Sequence, residues 1–152
     1  FNNEDEDTDL PQKSDALSRE ECLVIRGKLE HELAQMTDEE AAELLAEFDI
    51  AASATDRVIQ KSYAILGLIS FFTVGEDEVK AWTIPTGTIA VDAAGAIHTD
   101  IQKGFIRAET ISYEDLMAAG SMNAAKKKGT LRLEGKTYVV QDGDIINFRF
   151  NI

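Results

Sequence analysis

Residues 84–105 read IPTGTIAVDAAGAIHTDIQKGF, and this stretch decides the fold. Pro85 has no N–H to donate to a sheet ladder, so a strand that arrives here should end at this residue. Gly87 supplies the conformational freedom that a chain reversal needs. Small and apolar residues then recur at helical spacing: Val91, Ala94 and either Gly95 or Ile97. The stretch therefore predicts a strand end, a turn, a short buried helix that lies close on a sheet, and an exit loop.

The residues on either side of this stretch predict a mixed sheet. Two runs rich in β-branched and aromatic residues, 69–74 and 78–84, read as a hairpin, and residues 105–111 read as a third strand. Short helices are expected over residues 112–120 and 123–128. Side chains that should alternate inward come next: Leu131, Leu133, Tyr138, Val140, Ile146, Phe148 and Phe150. The order strand–strand–helix–strand–strand is that of the β-grasp layout, in the α+β class.

The first part of the chain predicts half of an α/β unit. Residues 22–25 form a short apolar run, typical of a strand buried on both faces, with Cys22 as an inert core residue. A loop of Arg26, Gly27 and Lys28 follows, with its two cations exposed at a helix start. Apolar residues then recur at helical spacing: Leu29, Leu33 and Met36.

Two more helices are expected before residue 67. Thr37 and Glu40 have the spacing of a capping box, which opens a helix with an apolar stripe of Ala41, Leu44, Leu45 and Phe48. The next helix should begin near residues 53–55, end at Gly67, and bury Val58, Ile59, Ser62, Tyr63 and Leu66. If the rest of an α/β domain is missing, some of four apolar residues should be exposed: Leu23, Ile25, Leu29 and Leu33.

Composition indicates a globular, soluble protein without a membrane span. The 152 residues are 44% apolar and 28% charged, and no apolar run approaches 18 residues. The net charge of −13 is concentrated in residues 1–66, which hold 17 acidic and 6 basic side chains. Residues 1–21 are polar and acidic and are expected to be solvated. The chain starts at Phe1 without Met, so we expect it to be part of a longer protein.

Several motifs in the same order resemble two known families. Pro85-x-Gly87, Asp92, Ala94 and Ile97-His98-Thr99-Asp100 resemble the TGS domain, a ubiquitin-like module. The motifs that flank them make the resemblance more specific, because they resemble the C-terminal part of the YchF (Obg-like ATPase) family. These motifs are residues 71–84, 103–109 and 134–144. The sequence departs from the TGS pattern at Ile89, where a helix-capping Thr is usual, so Thr88 is expected to cap the helix instead.

The resemblance implies two domains and a nucleotide-dependent parent. Residues 1–66 would be the C-terminal portion of a P-loop nucleotide-binding domain, and residues 67–152 a TGS β-grasp domain. The intact parent would bind ATP (or GTP) with Mg²⁺, and Arg26, Gly27 and Lys28 would lie beside the nucleotide base. The nucleotide-specificity motif would lie just upstream of Phe1.

The chain itself contains no P-loop motif, so we expect no nucleotide hydrolysis by these 152 residues. No catalytic residue and no metal site are predicted. His31 and His98 lack partners at metal-ligand spacing. His98 is instead expected at a helix end, where protonated imidazole suits the helix dipole and Asp100 accepts from it.

Family members associate with ribosomes and bind RNA, so the resemblance implies a ribosome or RNA partner. The candidate contacts are cations of residues 67–152: Lys103, Arg107, Lys126, Lys127, Lys128, Arg132, Lys136 and Arg149. The three consecutive lysines have a simpler alternative, because cations in the last turn of a helix complement its dipole and stay solvated. Trp82 is a possible stacking platform, although a single Trp in a strand is usually part of a core.

Two functions remain open at this point. The first is a TGS module that links an Obg-like nucleotidase to RNA or the ribosome in the cytoplasm. The second is a protein-binding ubiquitin-like module that docks on its own nucleotide domain or on a regulator, without RNA contact. The nearly balanced charge of residues 67–152 favours the second function, and the TGS motif favours the first.

Overall fold

The chain divides after Leu66 into two units, Phe1–Leu66 and Gly67–Ile152, in the computed structural model. The structure describes residues 1–4, 7, 9–10, 22–48, 50, 52–75 and 77–151. Most of the acidic segment predicted over residues 1–21 lies outside the described residues.

Among its described residues, the first unit has three helices, α1 (Gly27–Leu33), α2 (Asp38–Glu47) and α3 (Ala54–Ile65). The predicted capping box is confirmed, because the Thr37 side chain accepts from the Glu40 N–H and the Glu40 carboxylate accepts from the Thr37 N–H. Ser53 caps α3 in a similar way by accepting from the Asp56 N–H. The helix starts are therefore set by local polar signals.

The predicted strand over residues 22–25 is wrong. Only Ile25 forms a β-bridge, a parallel one with Asn2, and its N–H donates to the Phe1 carbonyl at 2.7 Å. Cys22 is half-buried rather than buried. A strand buried on both faces needs neighbours on both edges, and within the described residues only the segment around Asn2 pairs with this run.

The predicted burial of the helices is also partly wrong. Leu29 and Leu33, two of the four residues of which some were expected to be exposed, are buried. On α3, in contrast, Ile59 is 51% exposed and Leu66 is 69% exposed, and the other large residues expected to be buried are exposed as well: Val58 and Tyr63. Met36, expected on the stripe of α1, lies beyond its end and is exposed.

The reason lies in how α3 is attached. Its first turn is held by polar contacts, from the Ala54 N–H to the Glu30 carboxylate at 2.8 Å and from the Arg57 guanidinium to the Val24 carbonyl at 2.7 Å. The large apolar side chains in the later turns of α3 are exposed. Helical periodicity predicted the stripe correctly, but it did not predict whether a partner surface covers that stripe.

The second unit is built on a five-stranded sheet. Its strands are β1 (Leu68–Val74), β2 (Val79–Pro85), β3 (Phe105–Ile111), β4 (Arg132–Glu134) and β5 (Ile145–Phe150). The spatial order is β2-β1-β5-β3-β4, with β1 and β5 parallel and the other pairs antiparallel. The predicted hairpin is confirmed as β1 and β2, and β2 ends at Pro85 as expected. The second unit is thus α+β with a mixed sheet.

One face of the sheet is covered by α4 (Ala90–Ile97) and α5 (Thr99–Lys103). Three alanines of α4 are fully buried, which lets the helix lie close on the strands: Ala90, Ala93 and Ala94. Beneath them Phe71 and Phe148 meet edge to face, with ring centroids 5.9 Å apart. This is the larger core of the unit.

Thr88 does not cap α4, contrary to the prediction. The N-cap residue is Ile89, without a side-chain hydrogen bond. The Thr88 hydroxyl donates to the Pro85 carbonyl at 2.6 Å and so closes the turn, in which Gly87 has a φ of +86°. The N–H of Ala90 is satisfied instead by the Tyr138 carbonyl at 2.8 Å.

The opposite face is partly covered by α6 (Tyr113–Ala119) and α7 (Met122–Lys128). A smaller core forms there around Ile111, Ala125 and Ile145. Leu133, expected to point inward, is 60% exposed, because its position in β4 pairs with Glu109, beyond this smaller core. Phe150 is likewise exposed, whereas Val140 and Ile146 are buried as predicted.

None of the helices in the described part of the chain combines the length and the apolar character that a membrane crossing requires.

Candidate nucleic-acid interface

Two arginines lie side by side on the sheet face that carries α6 and α7. Arg107 of β3 and Arg149 of β5 are directly opposite each other in the antiparallel ladder, and the next pair on the same face is Glu109 and Asn147. Like charges in opposite positions repel each other unless a counter-charge lies between them or a ligand bridges them. The position of Glu109 explains how the fold tolerates this pair.

Glu109 is the counter-ion of this group. Its carboxylate accepts from the Arg149 guanidinium at 2.9 Å and from the Asn147 amide at 3.2 Å, and its side chain is only 12% exposed. The hydrogen bond from Arg149 is the main cause that holds the pKa of Glu109 below its usual value, against the effect of burial. The Arg149 charge, the Asn147 hydrogen bond and the Lys126 charge lower this pKa further.

Two cations act on the Glu109 carboxylate, Arg149 and Lys126, and a third cation, Arg107, lies opposite Arg149 in the strand ladder. We call these three residues together with Glu109 and Asn147 the basic face. It carries a local excess of two positive charges on a unit whose overall charge is nearly balanced. All three cations are exposed, so an anion in solvent has access to them.

The lysine triplet at the end of α7 does not act as one group. Lys126 belongs to the basic face, whereas the Lys128 ammonium donates to the Ala118 carbonyl of α6 at 3.0 Å. Lys128 thus satisfies a carbonyl near the end of α6, whereas the alternative role predicted for these lysines is to stay solvated and complement the dipole of their own helix. Lys127 is exposed.

Arg132 is occupied by a structural network. Its guanidinium donates to the Tyr138 hydroxyl at 3.0 Å and to the Asp144 carboxylate at 3.3 Å, and it pairs with Glu134 at 3.3 Å. Asp144 is buried and also accepts from the Tyr138 hydroxyl at 2.7 Å. Burial, together with the hydrogen bond and the charge of Asp144, raises the pKa of Tyr138. Arg132 therefore supports the loop before β5.

The remaining predicted contacts are spread over the unit. Lys103 ends α5 and Lys136 lies in the loop after β4; both are exposed, and neither is among the charges that act on Glu109. Trp82 packs against the larger core, its indole N–H donates to the Thr73 hydroxyl at 3.0 Å, and the Lys80 ammonium lies 4.2 Å from its ring centroid. A base therefore has no open ring face to stack on at Trp82.

In the first unit, Arg26, Gly27 and Lys28 do not form the predicted exposed loop. Gly27 and Lys28 begin α1, while Arg26 is only 7% exposed and lies over the Phe48 ring at 5.6 Å. The Gly27 N–H donates to the Asn2 side chain at 2.9 Å. These contacts do not form a cradle for a phosphate group, so we assign no step of nucleotide chemistry to these residues, and their contact with a nucleotide base stays a prediction.

The predicted role of His98 needs a correction. His98 joins α4 to α5, and its Nδ1 accepts from the Asp100 N–H at 3.2 Å, as an N-cap residue does. The Nδ1 atom lies 3.5 Å from the Asp100 carboxylate as well. Among the residues that the structure describes, no group of three or more His, Cys, Asp or Glu side chains could hold a metal ion.

Sequence analysis missed Glu109 and Asn147. The signal was present, since residues 107 and 109 alternate with buried neighbours in β3, as residues 147 and 149 do in β5. What the sequence does not contain is the pairing of β3 with β5, which places residues 40 positions apart side by side.

Comparisons with known proteins agree with the resemblance seen in the motifs. The family model described as YchF-GTPase_C, "Protein of unknown function (DUF933)", matches residues 68–151. The chain is 52% identical over 132 residues to the ribosome-binding ATPase YchF of Bacillus subtilis, covering 87% of this chain and 36% of that protein. It is 50% identical over 125 residues to human Obg-like ATPase 1, covering 82% and 31%.

A solved structure supports the same relationship. The YchF GTPase of Schizosaccharomyces pombe superimposes with a TM-score of 0.69 at 38% identity, covering 84% of this chain and 33% of that one. The chain thus spans about a third of the length of the relatives it matches.

Proposed function

Because the chain belongs to the YchF family of Obg-like ATPases and carries its C-terminal domain, we propose that residues 67–152 are a TGS-type module that helps its parent associate with the ribosome through RNA. The observation that carries this proposal is the basic face, where Arg149 and Lys126 act on Glu109 and Arg107 lies opposite Arg149. The B. subtilis relative is named a ribosome-binding ATPase, which supports a ribosomal partner.

The proposal includes a β-grasp fold for this unit. It is supported by the strand order β2-β1-β5-β3-β4, by the parallel pairing of the central strands β1 and β5, and by α4 packed across one face. Residues 1–66 are proposed as the end of the nucleotide-binding domain of a parent that uses ATP or GTP with Mg²⁺. A cytoplasmic location follows from a ribosomal partner.

At the basic face, Glu109 fixes the position of an arginine, and this position restricts where a phosphate group can bind. Its carboxylate accepts from the Arg149 guanidinium at 2.9 Å, and Arg107 lies opposite Arg149 in the strand ladder. Two arginines in opposite positions on neighbouring strands can contact neighbouring phosphates or one phosphate from two sides. Lys126 adds a third charge from α7. Phosphate contacts of this kind position RNA without reading its sequence.

The test is a triple variant, Arg107→Gln, Lys126→Gln and Arg149→Gln, in sedimentation with purified ribosomes over a series of salt concentrations. We expect weaker binding and a salt slope reduced by two to about three, because each lost phosphate contact removes about 0.7–0.9 of the slope. The matched control is Lys80→Gln, Lys103→Gln and Lys136→Gln, which changes the net charge equally but leaves the basic face intact. Equal losses in both variants would show that only the overall charge matters.

A protein-binding role without RNA contact is the second candidate, with the parent's nucleotide domain or a regulator as partner. It is favoured by an apolar groove on the same sheet face, beside α6. The two functions differ in their response to salt, because apolar docking weakens little as the salt concentration rises. If the triple variant binds ribosomes as the unchanged chain does, at low salt and with its amide spectrum intact, the RNA proposal fails and this candidate remains.

A further inference from the structure

An open groove lies between the β1–β2 hairpin and α6. Its volume is about 480 Å³, and its exposed lining is apolar. The lining side chains come mainly from three elements: Phe72, Val74, Val79, Tyr113, Leu116 and Met117. The floor is continuous with the smaller core, because Phe72 and Leu116 also pack there. The groove is therefore a part of the core that α6 leaves uncovered.

The side chains at the mouth of the groove are exposed to an unusual degree. Val79 is 67% exposed and Met117 is 55% exposed, and Tyr113 and Val74 are exposed as well. Single exposed apolar residues are ordinary, but a contiguous concave group of them marks a binding surface. Met suits such a surface because its flexible side chain adapts to different shapes.

Acidic side chains border the groove. A second hollow of about 220 Å³ shares Tyr113 and Gly143 with it, so the two adjoin, and Glu114, Asp142 and Asp144 line this hollow. Asp144 is paired with Arg132, and one Asp142 oxygen accepts from the Ser70 N–H at 2.8 Å. Glu114 and the second oxygen of Asp142 are the acceptors that a ligand can reach.

We propose that this groove binds a short segment of a basic protein partner, in which a bulky apolar side chain is flanked by Lys or Arg. The apolar side chain fills the groove, and the flanking cations lie against Glu114 and Asp142. The site uses other residues than the basic face, so it does not depend on the RNA contact proposed above. The volume is within the range of pockets that hold small ligands, and it is sufficient for one large side chain and its neighbours.

The charge of the rim decides between this partner and other occupants. A second copy of the chain carries most of its net charge of −13 in residues 1–66, so only that part would bring a strongly acidic surface to the rim, and the sedimentation experiment below tests this occupant. Nucleic acid is repelled by the same carboxylates, and its phosphates gain nothing from an apolar lining. A basic segment with an apolar anchor satisfies both parts of the site.

The test uses the full chain and a fluorescein-labelled peptide of sequence Gly-Ser-Lys-Leu-Trp-Lys-Arg-Ser-Gly in a fluorescence anisotropy titration. Two matched peptides replace either the cations by Glu or the Leu-Trp pair by Ser-Ser. We expect each replacement to weaken binding at least tenfold. Amide shifts of the bound chain should map to Phe72, Val79 and Met117.

Variants of the chain locate the site. Met117→Glu places a charge in the groove and should weaken binding of the basic peptide at least tenfold, whereas Glu114→Gln should weaken it about threefold and reduce its salt dependence. The control is Ile106→Glu, at a residue that is 53% exposed and outside the groove, which should leave binding unchanged. Far-ultraviolet circular dichroism checks that each variant is folded.

Three results would overturn the proposal. The first is equal binding of the basic and acidic peptides, or of the unchanged chain and folded Met117→Glu. The second is self-association of the chain in sedimentation equilibrium that Met117→Glu abolishes, which would make a second copy the occupant. The third is binding by this chain but not by the intact parent protein, which would make another segment of the parent the occupant. None of these results bears on the ribosome test, whose substitutions lie in the basic face.

Discussion

The apolar residues of helix α3 in the first unit and of helix α4 in the second differ in their burial. The apolar side chains of α3 are largely exposed, including Val58 and Ile59, whereas Ala90, Ala93 and Ala94 of α4 are fully buried. The Ser53 side chain caps the start of α3, whereas α4 begins at Ile89 without a side-chain cap, so the start signals do not explain the burial. The difference is that α4 lies on a sheet of paired strands. A helix buries its apolar stripe only where strands that are far apart in sequence pair and form a surface for it.

The two units also differ in the sequence distance over which their polar contacts act. In the first unit, Thr37 and Glu40 are three residues apart. In the second, Glu109 and Arg149 are 40 residues apart, and Ser70 and Asp142 are 72 apart. Local contacts can form in a short peptide, whereas the long-range contacts require the complete sheet.

The largest effect should come from separating the units. We expect residues 67–152, expressed alone, to give a dispersed amide spectrum, because their sheet and both cores are complete within that range. Residues 1–66 alone should give a poorly dispersed spectrum, since only Leu29, Leu33 and Ala54 are buried apolar residues among those described there. Heteronuclear NMR of the two segments measures both. A poorly dispersed amide spectrum from residues 67–152 would show that the domain boundary does not lie at Gly67.

A pair of glycine substitutions should give the next largest effect. A Cβ at Gly104 would overlap the backbone carbonyl of Asn151, which the end of β5 holds in place. A Cβ at Gly27 would instead come within 2.8 Å of the end of the exposed Asn2 side chain, which can rotate away. We expect Gly104→Ala to lower the free energy of unfolding by about 1–3 kcal/mol or more, and Gly27→Ala by less than about 1 kcal/mol.

Urea unfolding followed by the fluorescence of Trp82, the single tryptophan of the chain, measures the effect of Gly104→Ala in the second unit, and far-ultraviolet circular dichroism in the same titration follows the helices of the first unit for Gly27→Ala. Gly135→Ala is the control, because a Cβ there would meet nothing within 4 Å. Similar losses for Gly104→Ala and Gly135→Ala would mean that the contact with Asn151 is not rigid.

The smallest effect concerns two carboxylates whose pKa values lie below the usual value of glutamate. The hydrogen bonds from Thr37 lower the pKa of Glu40, and mainly the hydrogen bond from Arg149 lowers the pKa of Glu109. We expect Arg149→Gln to return the pKa of Glu109 towards its ordinary value and leave Glu40 unchanged. Thr37→Ala should raise the pKa of Glu40 only part of the way, because the backbone N–H of residue 37 still donates to this carboxylate, and should leave Glu109 unchanged. Carboxyl carbon shifts in an NMR titration measure both.

The lowered pKa of Glu109 also fixes the sign of its effect on stability. Its contribution is fully present above the unfolded-state pKa of about 4.3 and is lost as the pH falls through the lower folded-state value. Because Arg149 is more than half exposed, this contribution should be under about 1 kcal/mol. Glu109→Gln should remove this part of the acid sensitivity. An unfolding free energy with the same acid dependence in Glu109→Gln would show that the pair contributes nothing to folding.

The sequence alone determined the elements whose signals are local. Pro85 and Gly87 set the end of β2 and the reversal that follows it, and the capping box at Thr37 set the start of α2. The small residues of α4 predicted its buried face, and alternation in β5 predicted the burial of Ile146 and Phe148. These signals act through the geometry of a few neighbouring residues, so they can be read without knowing the partners.

Only the tertiary structure decided which charges meet and which apolar residues stay uncovered. The pairing of β3 with β5 brings Arg107, Glu109 and Arg149 onto neighbouring positions of the sheet. Arg132 instead donates to the buried Asp144, and Lys128 donates to a carbonyl near the end of α6. The same sheet leaves the groove beside Met117 open. The physical reason is that charge clusters and grooves arise from residues far apart in sequence, whose separation in space depends on strand order and register.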